Sequence, residues 1–276
     1  MGTILYYFTG TGNSLAVARE LSSVIGDCKL VPIVSEMKKG GPIEPRADRV
    51  GIVNPLYFFG LPSIVAEFAQ RLDLSHAGYT FSVITLGGWG ASAAFSQLDR
   101  ILKGRPGKRG LDAAFSIRMP GNYILMYDSP DTESVERILK KSGSLIKETG
   151  EMVKAGKKVS SAWSPAAALV HYMVYPRFIR HVHGADAQFS VDDRCNGCGT
   201  CARVCPVDNI RIGNDRPAWL HHCEQCMACI QCCPANAIQA EKTEGRRRYR
   251  HPGITLNDLT KQRSDSIIPH HEWETE

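Results

Sequence analysis

The sequence predicts an α/β protein in two parts, a doubly wound parallel sheet of five strands followed by a small cysteine-rich α+β domain. Two observations lead there. Up to about residue 156, short apolar runs alternate with segments whose apolar residues recur at helical spacing, and further on nine of the ten cysteines fall between Cys195 and Cys233. Strands alternating with helices imply a parallel sheet covered on both faces. Right-handed crossovers leave the doubly wound form as the simplest topology.

The first apolar run, residues 3–8, leads through a Gly-rich loop into residues 14–24, where Leu15, Val17, Ala18 and Leu21 share one helical face. Further strand-like runs at residues 29–33, 50–55, 80–86 and 113–117 alternate with helical patterns at 62–72, 91–102 and 132–155. A length of 276 residues suits one domain of ordinary size and one small one. Hydrophobic content of 43% and charged content of 22% are those of a soluble globular chain. The net charge of +5 is too diffuse to imply nucleic acid. The amino terminus lacks the basic and apolar regions of a signal peptide, so a cytoplasmic location is expected. The apolar stretch 162–179 is broken by Pro165, His171, Pro176 and Arg177, which reads as a buried connecting helix rather than a membrane span.

The loop after the first strand, Thr9-Gly10-Thr11-Gly12-Asn13-Ser14, sits where a doubly wound sheet binds ligands. It lacks the lysine of a G-x4-G-K-S/T loop, and Leu15 stands where a dinucleotide fingerprint needs its third glycine. What remains is a set of hydroxyls and backbone amides at a helix N-terminus, which suits a terminal phosphate such as that of FMN. Taken alone, the two glycines also suit a plain tight turn with Ser14 near the helix cap. The other strand ends weigh against that. Residues 54–62, NPLYFFGLP, gather Tyr57, Phe58 and Phe59, and residues 85–92, TLGGWGAS, set Trp89 among three glycines. Glycines admit a flat ring closely and aromatics stack on it, so the three loops together suit a flavin.

The cysteines carry the most specific signal. Cys195, Cys198, Cys201 and Cys205 precede Pro206, and Cys223, Cys226, Cys229 and Cys233 precede Pro234, each as C-x2-C-x2-C-x3-C-P with a constant offset of 28 residues. In a reducing compartment such density points to metal rather than disulfides. Structural zinc also uses paired C-x2-C units, but two evenly spaced triplets, each closed by Cys-Pro, fit it poorly. Cys232 continues the x2 spacing from Cys229, yet the repeat favours Cys233, which aligns with Cys205. Cys232 and Cys28 then read as small buried hydrophobes.

Residues 188–240 resemble the bacterial two-cluster ferredoxins, residues 1 to about 156 look like a short-chain flavodoxin-like domain, and the whole chain resembles the flavodoxin-ferredoxin fusion family of anaerobes. The motifs that carry this are TGTGNS, NPLYFFGLP, LGGWGAS, the MPGNY segment at 119–123 and the cysteine repeat. The resemblance implies a five-stranded sheet in the order 2-1-3-4-5, followed by a small α+β two-cluster ferredoxin domain. It implies FMN held by Thr9 to Ser14, by Pro55, Leu56, Tyr57, Phe58 and Gly60, and by Thr85, Gly87, Gly88, Trp89 and Gly90. It also implies two 4Fe-4S clusters in which the fourth cysteine of each run serves the other cluster. Cys195, Cys198, Cys201 and Cys233 would then hold one, and Cys223, Cys226, Cys229 and Cys205 the second. The matching domains are 1–156 for FMN, 157–187 as a helical linker, 188–240 for the clusters and 241–276 as a partly ordered tail.

Clusters pass one electron at a time whereas flavin takes one or two, so the expected function is electron transfer between a redox partner protein and an acceptor. The partner would be a ferredoxin, a flavodoxin or a reductase. The alternative is an FMN-dependent reductase of a quinone or electron-poor aromatic, fed through the clusters. No nicotinamide motif or acid-base constellation is visible, which favours the carrier. A long flavin-to-cluster separation would call for domain motion or a homodimer. His221 and His222, next to Cys223, suit either potential tuning or a plain surface, and His181 and His183 lack a nearby metal-binding partner in sequence. Arg246 to Arg250, RRRYR, suits either steering of an acidic partner or packing against its own domain. Tyr249, Ile254 and Leu256 suggest order in the tail, and the end from about Ser264 reads as mobile.

Overall fold

The computed structural model describes residues 2–263. The first half contains β1 (Thr3–Tyr7), α1 (Asn13–Ile25), β2 (Cys28–Pro32), α2 (Ile33–Lys39), β3 (Arg49–Pro55), α3 (Ser63–Arg71), β4 (Tyr79–Leu86), α4 (Ala91–Lys103), β5 (Ala113–Arg118) and α5 (Thr132–Lys154). The strands pair in parallel in the order β2-β1-β3-β4-β5, the flavodoxin-like doubly wound order. Strand periodicity divides the core. Leu5 and Tyr7 of β1 face one layer with Leu15, Leu21 and Ile146, whereas Tyr6 and Phe8 face the other with Phe68, Leu98 and Ile64. Gly51 in β3 leaves room that Leu5 and Phe81 fill, since a Cβ there would lie 2.4 Å from both.

Helix α2 leaves no periodic trace in the sequence. It follows β2 without a break and has only seven residues, too few for a helical repeat to show. Helix α5 starts on a cap in which Asp131 Oδ1 accepts from Ser134 N–H at 2.8 Å. After it, Ala114 N–H donates to Val159 O at 3.0 Å, so the chain stays on the edge of the sheet to Val159.

The second half opens with α6 (Pro165–His181), started by Ser164 at the cap and Pro165 in the first turn. It is not the buried helix that its composition suggests. Ala167, Tyr175 and Phe178 face inward, whereas Leu169, Tyr172 and Met173 are exposed. A short 3-10 turn (Ala185–Gln188) leads to β6 (Phe189–Val191), α7 (Thr200–Val204), β7 (Ile210–Gly213), β8 (Arg216–Trp219), α8 (Ala228–Gln231), β9 (Ile238–Ala240) and α9 (Leu256–Lys261). Antiparallel pairs β6-β9 and β7-β8 bracket the two cysteine loops. Among the described residues no helix is long and apolar enough to cross a membrane.

The tail is a strap across both halves. Arg246 donates to Ile124 O, Arg247 to Asp128 and Ser129, and Arg248 to Ile238 O and Gln239. Three of the four arginines of RRRYR thus tie the tail to other parts of the chain. Beyond them Tyr249 Oη donates to Asn13 Oδ1 at 2.7 Å and His251 N–H to Thr11 O at 2.9 Å, while Ile254 is 1% exposed within the core over α1. Arg263 then ties the strap to the carbonyls of Ala202 and Arg203. The expectation for the end from Ser264 lies outside the described residues. Ile254→Ala is expected to lower the unfolding free energy by about 2–5 kcal/mol in urea, the range for truncating a buried isoleucine. An unchanged midpoint would show that the strap is not part of the core.

Candidate redox centre

Two cavities in the second half are lined by cysteine. Cys195, Cys198, Cys201 and Cys233 surround one, and Cys205, Cys223, Cys226 and Cys229 the other, so each brings three thiols from one run together with the fourth of the other run. The two loops share one backbone path. Gly197 and Gly199 enter the left-handed region at φ 69° and 71°, and Gln225 and Met227, 28 residues on, do so at 51° and 65°. The fourth cysteines also match, since Asn209 N–H donates to Cys205 Sγ and Ala237 N–H to Cys233 Sγ, both at 3.3 Å.

Burial raises the thiols of Cys226 and Cys229 well above their ordinary range, that of Cys223 to about 12 and that of Cys201 to about 11. Cys198, exposed and hydrogen-bonded by Thr200, is lowered. A cationic cluster is the kind of partner that holds such buried thiols ionised, with amide N–H donors assisting. Among the described residues no three Cys, His, Asp or Glu groups stand close enough to hold one metal ion. Four sulfurs on one zinc, with bonds of about 2.3 Å, would stand close together. Four thiols around each cavity, three from one run and the fourth from the other, are the donor set of a two-cluster ferredoxin pattern. Cys232 lines neither cavity; it is buried in the core beside Ala228 and Ile254.

A third and much larger cavity, about 560 Å³, lies at the carboxyl edge of the sheet. Its walls include Thr9, Gly10, Thr11, Asn13 and Ser14 from the first loop, Pro55 to Phe59 from the second, and Thr85 to Trp89 from the third. Gly12, Gly60 and Gly90 do not line it. They permit close packing beneath the walls: a Cβ on Gly12 would meet Ile254, one on Gly60 would meet Tyr175, and one on Gly90 would meet Phe59. Helix α1 begins at Gly12 with φ 100° and no capping side chain, so its first-turn amides stay available to an anion. The side chain of Asn13 is not available. Its Nδ2 donates to Pro120 O at 3.0 Å and its Oδ1 accepts from Tyr249. Ser14 Oγ and Thr85 Oγ1 lie 2.8 Å apart, joining the first and third loops.

The second loop is a tight hairpin in which Tyr57 and Gly60 exchange backbone bonds of 3.0 and 2.8 Å. Phe58 and Phe59 at its tip have φ 46° and 64°, a conformation that bulky residues adopt only under tertiary constraint. The constraint is visible. Phe58 stacks on Phe178 at 4.6 Å, and Phe59 meets the edge of Trp89 at 4.9 Å and bonds His171 through its carbonyl. Residues 119–123, with Met126 and Tyr127, close another side, and Val174 and Phe178 of α6 a further one. No motif in the sequence marks α6 as a pocket wall.

The remaining wall comes from the second cysteine loop: Gln225, Cys226 and Met227 line the large cavity. Cys226 and Met227 also line the cysteine cavity behind it. A Cβ on Gly10 would lie 2.2 Å from the carbonyl oxygen of Cys226, so the first sheet loop and the cysteine loop are in direct backbone contact. Glu224 reinforces the junction. It is buried, accepts from Ser63 Oγ and from Ile64 N–H at 3.4 Å at the start of α3, and burial holds its pKa up at about 7. The histidines stand aside from both cavities. His221 bonds buried Asp186 at 2.7 Å, His183 bonds Cys223 O at 3.1 Å, His222 reaches Leu220 O and His181 reaches Arg177 O.

Residues 186–249 match the 4Fe-4S dicluster domain family. No curated protein matches the chain significantly. Solved structures similar to the first half include a flavodoxin from the domain Archaea, at 14% identity over 55% of this chain and 99% of that one, TM-score 0.32. A flavoprotein in complex with FMN from Lactobacillus acidophilus is 12% identical over 42% and 92%, TM-score 0.34. An FMN-dependent NADH-azoreductase from Bacillus anthracis is 11% identical over 56% and 100%, TM-score 0.37. The strand order, not these low scores, establishes the fold.

The two adjacent cysteines separate cleanly in a test. Cys232→Ala is expected to keep about eight irons per chain after anaerobic reconstitution, and Cys233→Ala to fall toward half. Equal iron loss in both would place Cys232 among the ligands.

Proposed function

We propose that this chain is an iron-sulfur flavoprotein that carries electrons between FMN in the large cavity and two 4Fe-4S clusters in the cysteine cavities. The observation that carries the reading is the sharing of Cys226 and Met227 by the wall of the large cavity and the wall of the cysteine cavity behind it. When bound, the flavin would supply one- or two-electron exchange and each cluster one-electron exchange.

The chain's own residues divide the work. The open amides at the start of α1 would take the terminal phosphate, Phe58, Trp89 and Tyr123 would bound the ring, and Gly10 lets the cluster loop close against the flavin site. Buried Cys201, Cys223 and Cys229 would exclude water from the clusters, whereas exposed Cys198 would bring the outer one to the surface. A redox partner would dock there. All ten cysteines are free, which suits a reducing cytoplasm and an anaerobic setting. The proposed ligand sets are Cys195, Cys198, Cys201 and Cys233, and Cys223, Cys226, Cys229 and Cys205.

Among the described residues no acidic, basic or imidazole side chain lines the large cavity, and burial raises the phenol of Tyr123 to about 12, which favours a carrier over a proton-transferring reductase. One feature favours the reductase. Trp89, Met126 and Tyr127 leave an exposed apolar rim at the cavity mouth, where a quinone could approach. Steady turnover of a quinone with a ferredoxin donor would select it.

The test is anaerobic purification with iron, sulfide and FMN assays, then stepwise reduction followed by visible absorbance and EPR. About eight irons and one FMN per chain, reduced in a coupled sequence, is the expected result. Clusters without flavin would remove the flavin half of the proposal, and zinc in place of iron would overturn it.

A further inference from the structure

The two C-x2-C-x2-C loops share a backbone but not their side chains. Where the first uses Gly197 and Gly199 in the left-handed region, the second uses Gln225 and Met227. Glycine enters that region without penalty, and Asn and Asp tolerate it best among the rest. The next matched left-handed pair, Asp208 and Asn236, is of that tolerant kind. Gln225 and Met227 are not, so the second loop carries conformational strain that the first avoids.

What differs is the surface each loop faces. The first loop carries exposed Cys198, whereas Gln225 and Met227 line the large cavity and Met227 is 3% exposed. Gln225 Oε1 accepts from Tyr123 Oη at 3.1 Å, and Tyr123 stands edge-on to Phe58 at 5.4 Å, so the glutamine is clamped into the wall of that cavity. Both strained residues lie where the second loop lines the large cavity.

We infer that Gln225 and Met227 are flavin-contacting residues supplied by the inner cluster's own loop, so that FMN binding and the state of that cluster are coupled through a single three-residue segment. The inference rests on the flavin reading above and deepens it. The carboxamide of Gln225 offers a neutral hydrogen-bonding group to the polar edge of an isoalloxazine, and the thioether of Met227 a polarisable surface for its ring.

The test uses full-length protein prepared anaerobically with its clusters, stripped of flavin and titrated with FMN. Flavin fluorescence, flavin midpoint potential and the EPR spectrum of the reduced clusters are followed together. Gln225→Gly is expected to keep its iron, since the first loop shows the same backbone carried by glycine. It should bind FMN about three- to ten-fold more weakly, the loss of one hydrogen bond, with a shifted flavin midpoint. Met227→Gly should weaken binding similarly through lost packing, and both should diminish the change that FMN causes in the cluster spectrum of the wild type. Asn236→Gly, which relieves a left-handed residue away from the cavity, should alter none of the three. FMN affinity and midpoint unchanged in both loop variants, or iron lost from Gln225→Gly, would overturn the inference. A wild-type chain that holds its clusters but takes up no FMN would instead overturn the flavin reading beneath it.

Discussion

The approach of Gly10 to the carbonyl of Cys226 is the constraint on which the rest of the molecule depends. Only a residue without a Cβ lets the first loop of the sheet lie directly on the cysteine loop. Two residues further, Gly12 does the same for Ile254 of the strap. The two halves are therefore fitted at backbone distance along the edge where a doubly wound sheet presents its ligand. Glu224 at the start of α3, and Tyr249 on Asn13, hold that fit from either side. At this junction Cys226 and Met227 line both the cavity at the sheet edge and the inner cysteine cavity.

Strain collects around the same cavity. Among the described residues, six other than Gly, Asn and Asp have positive φ, and four of them, Phe58, Phe59, Gln225 and Met227, line it. Strained conformations persist where the surroundings over-determine them. Here the surroundings are packed aromatics: Phe58 between Phe178 and Tyr123, and Phe59 against Trp89. A wall of this kind is held in one arrangement by its own packing.

Much of the fold and of the cysteine site is legible in the amino-acid sequence, for reasons that can be named. Alternating apolar and helical runs mark the sheet, because parallel strands buried on both faces leave that trace. The two cysteine runs are matched by their constant 28-residue offset, which pairs Cys233 rather than Cys232 with Cys205. What the sequence hides is tertiary. The side chain of Asn13 has the right chemistry for a phosphate, yet both its polar atoms are taken by Pro120 and Tyr249, more than a hundred residues away. The RRRYR run has the composition of a free basic patch, but three of its four guanidinium groups are bonded within the chain, those of Arg246 and Arg247 to groups more than a hundred residues away. Helix α6 is apolar enough to be buried, but composition does not say that one face meets the cavity while Leu169, Tyr172 and Met173 meet solvent. Gln225 and Met227 stand out in the sequence as departures from the repeat, and only the cavity supplies a reason for them.

Helix α6 joins the two halves in the chain, yet Val174 and Phe178 make it a wall of the cavity as well. The first half therefore carries an incomplete pocket when it stands alone, missing walls contributed from α6 and from the cysteine loop, and the backing of the strap. In structural terms the two modules meet without a seam. The segment between the modules has become shared property, so neither half can be exchanged for that of a distant relative as a cassette. The outer cysteine cavity, where Cys198 faces solvent, contributes no wall to that pocket and stands outside this shared joint.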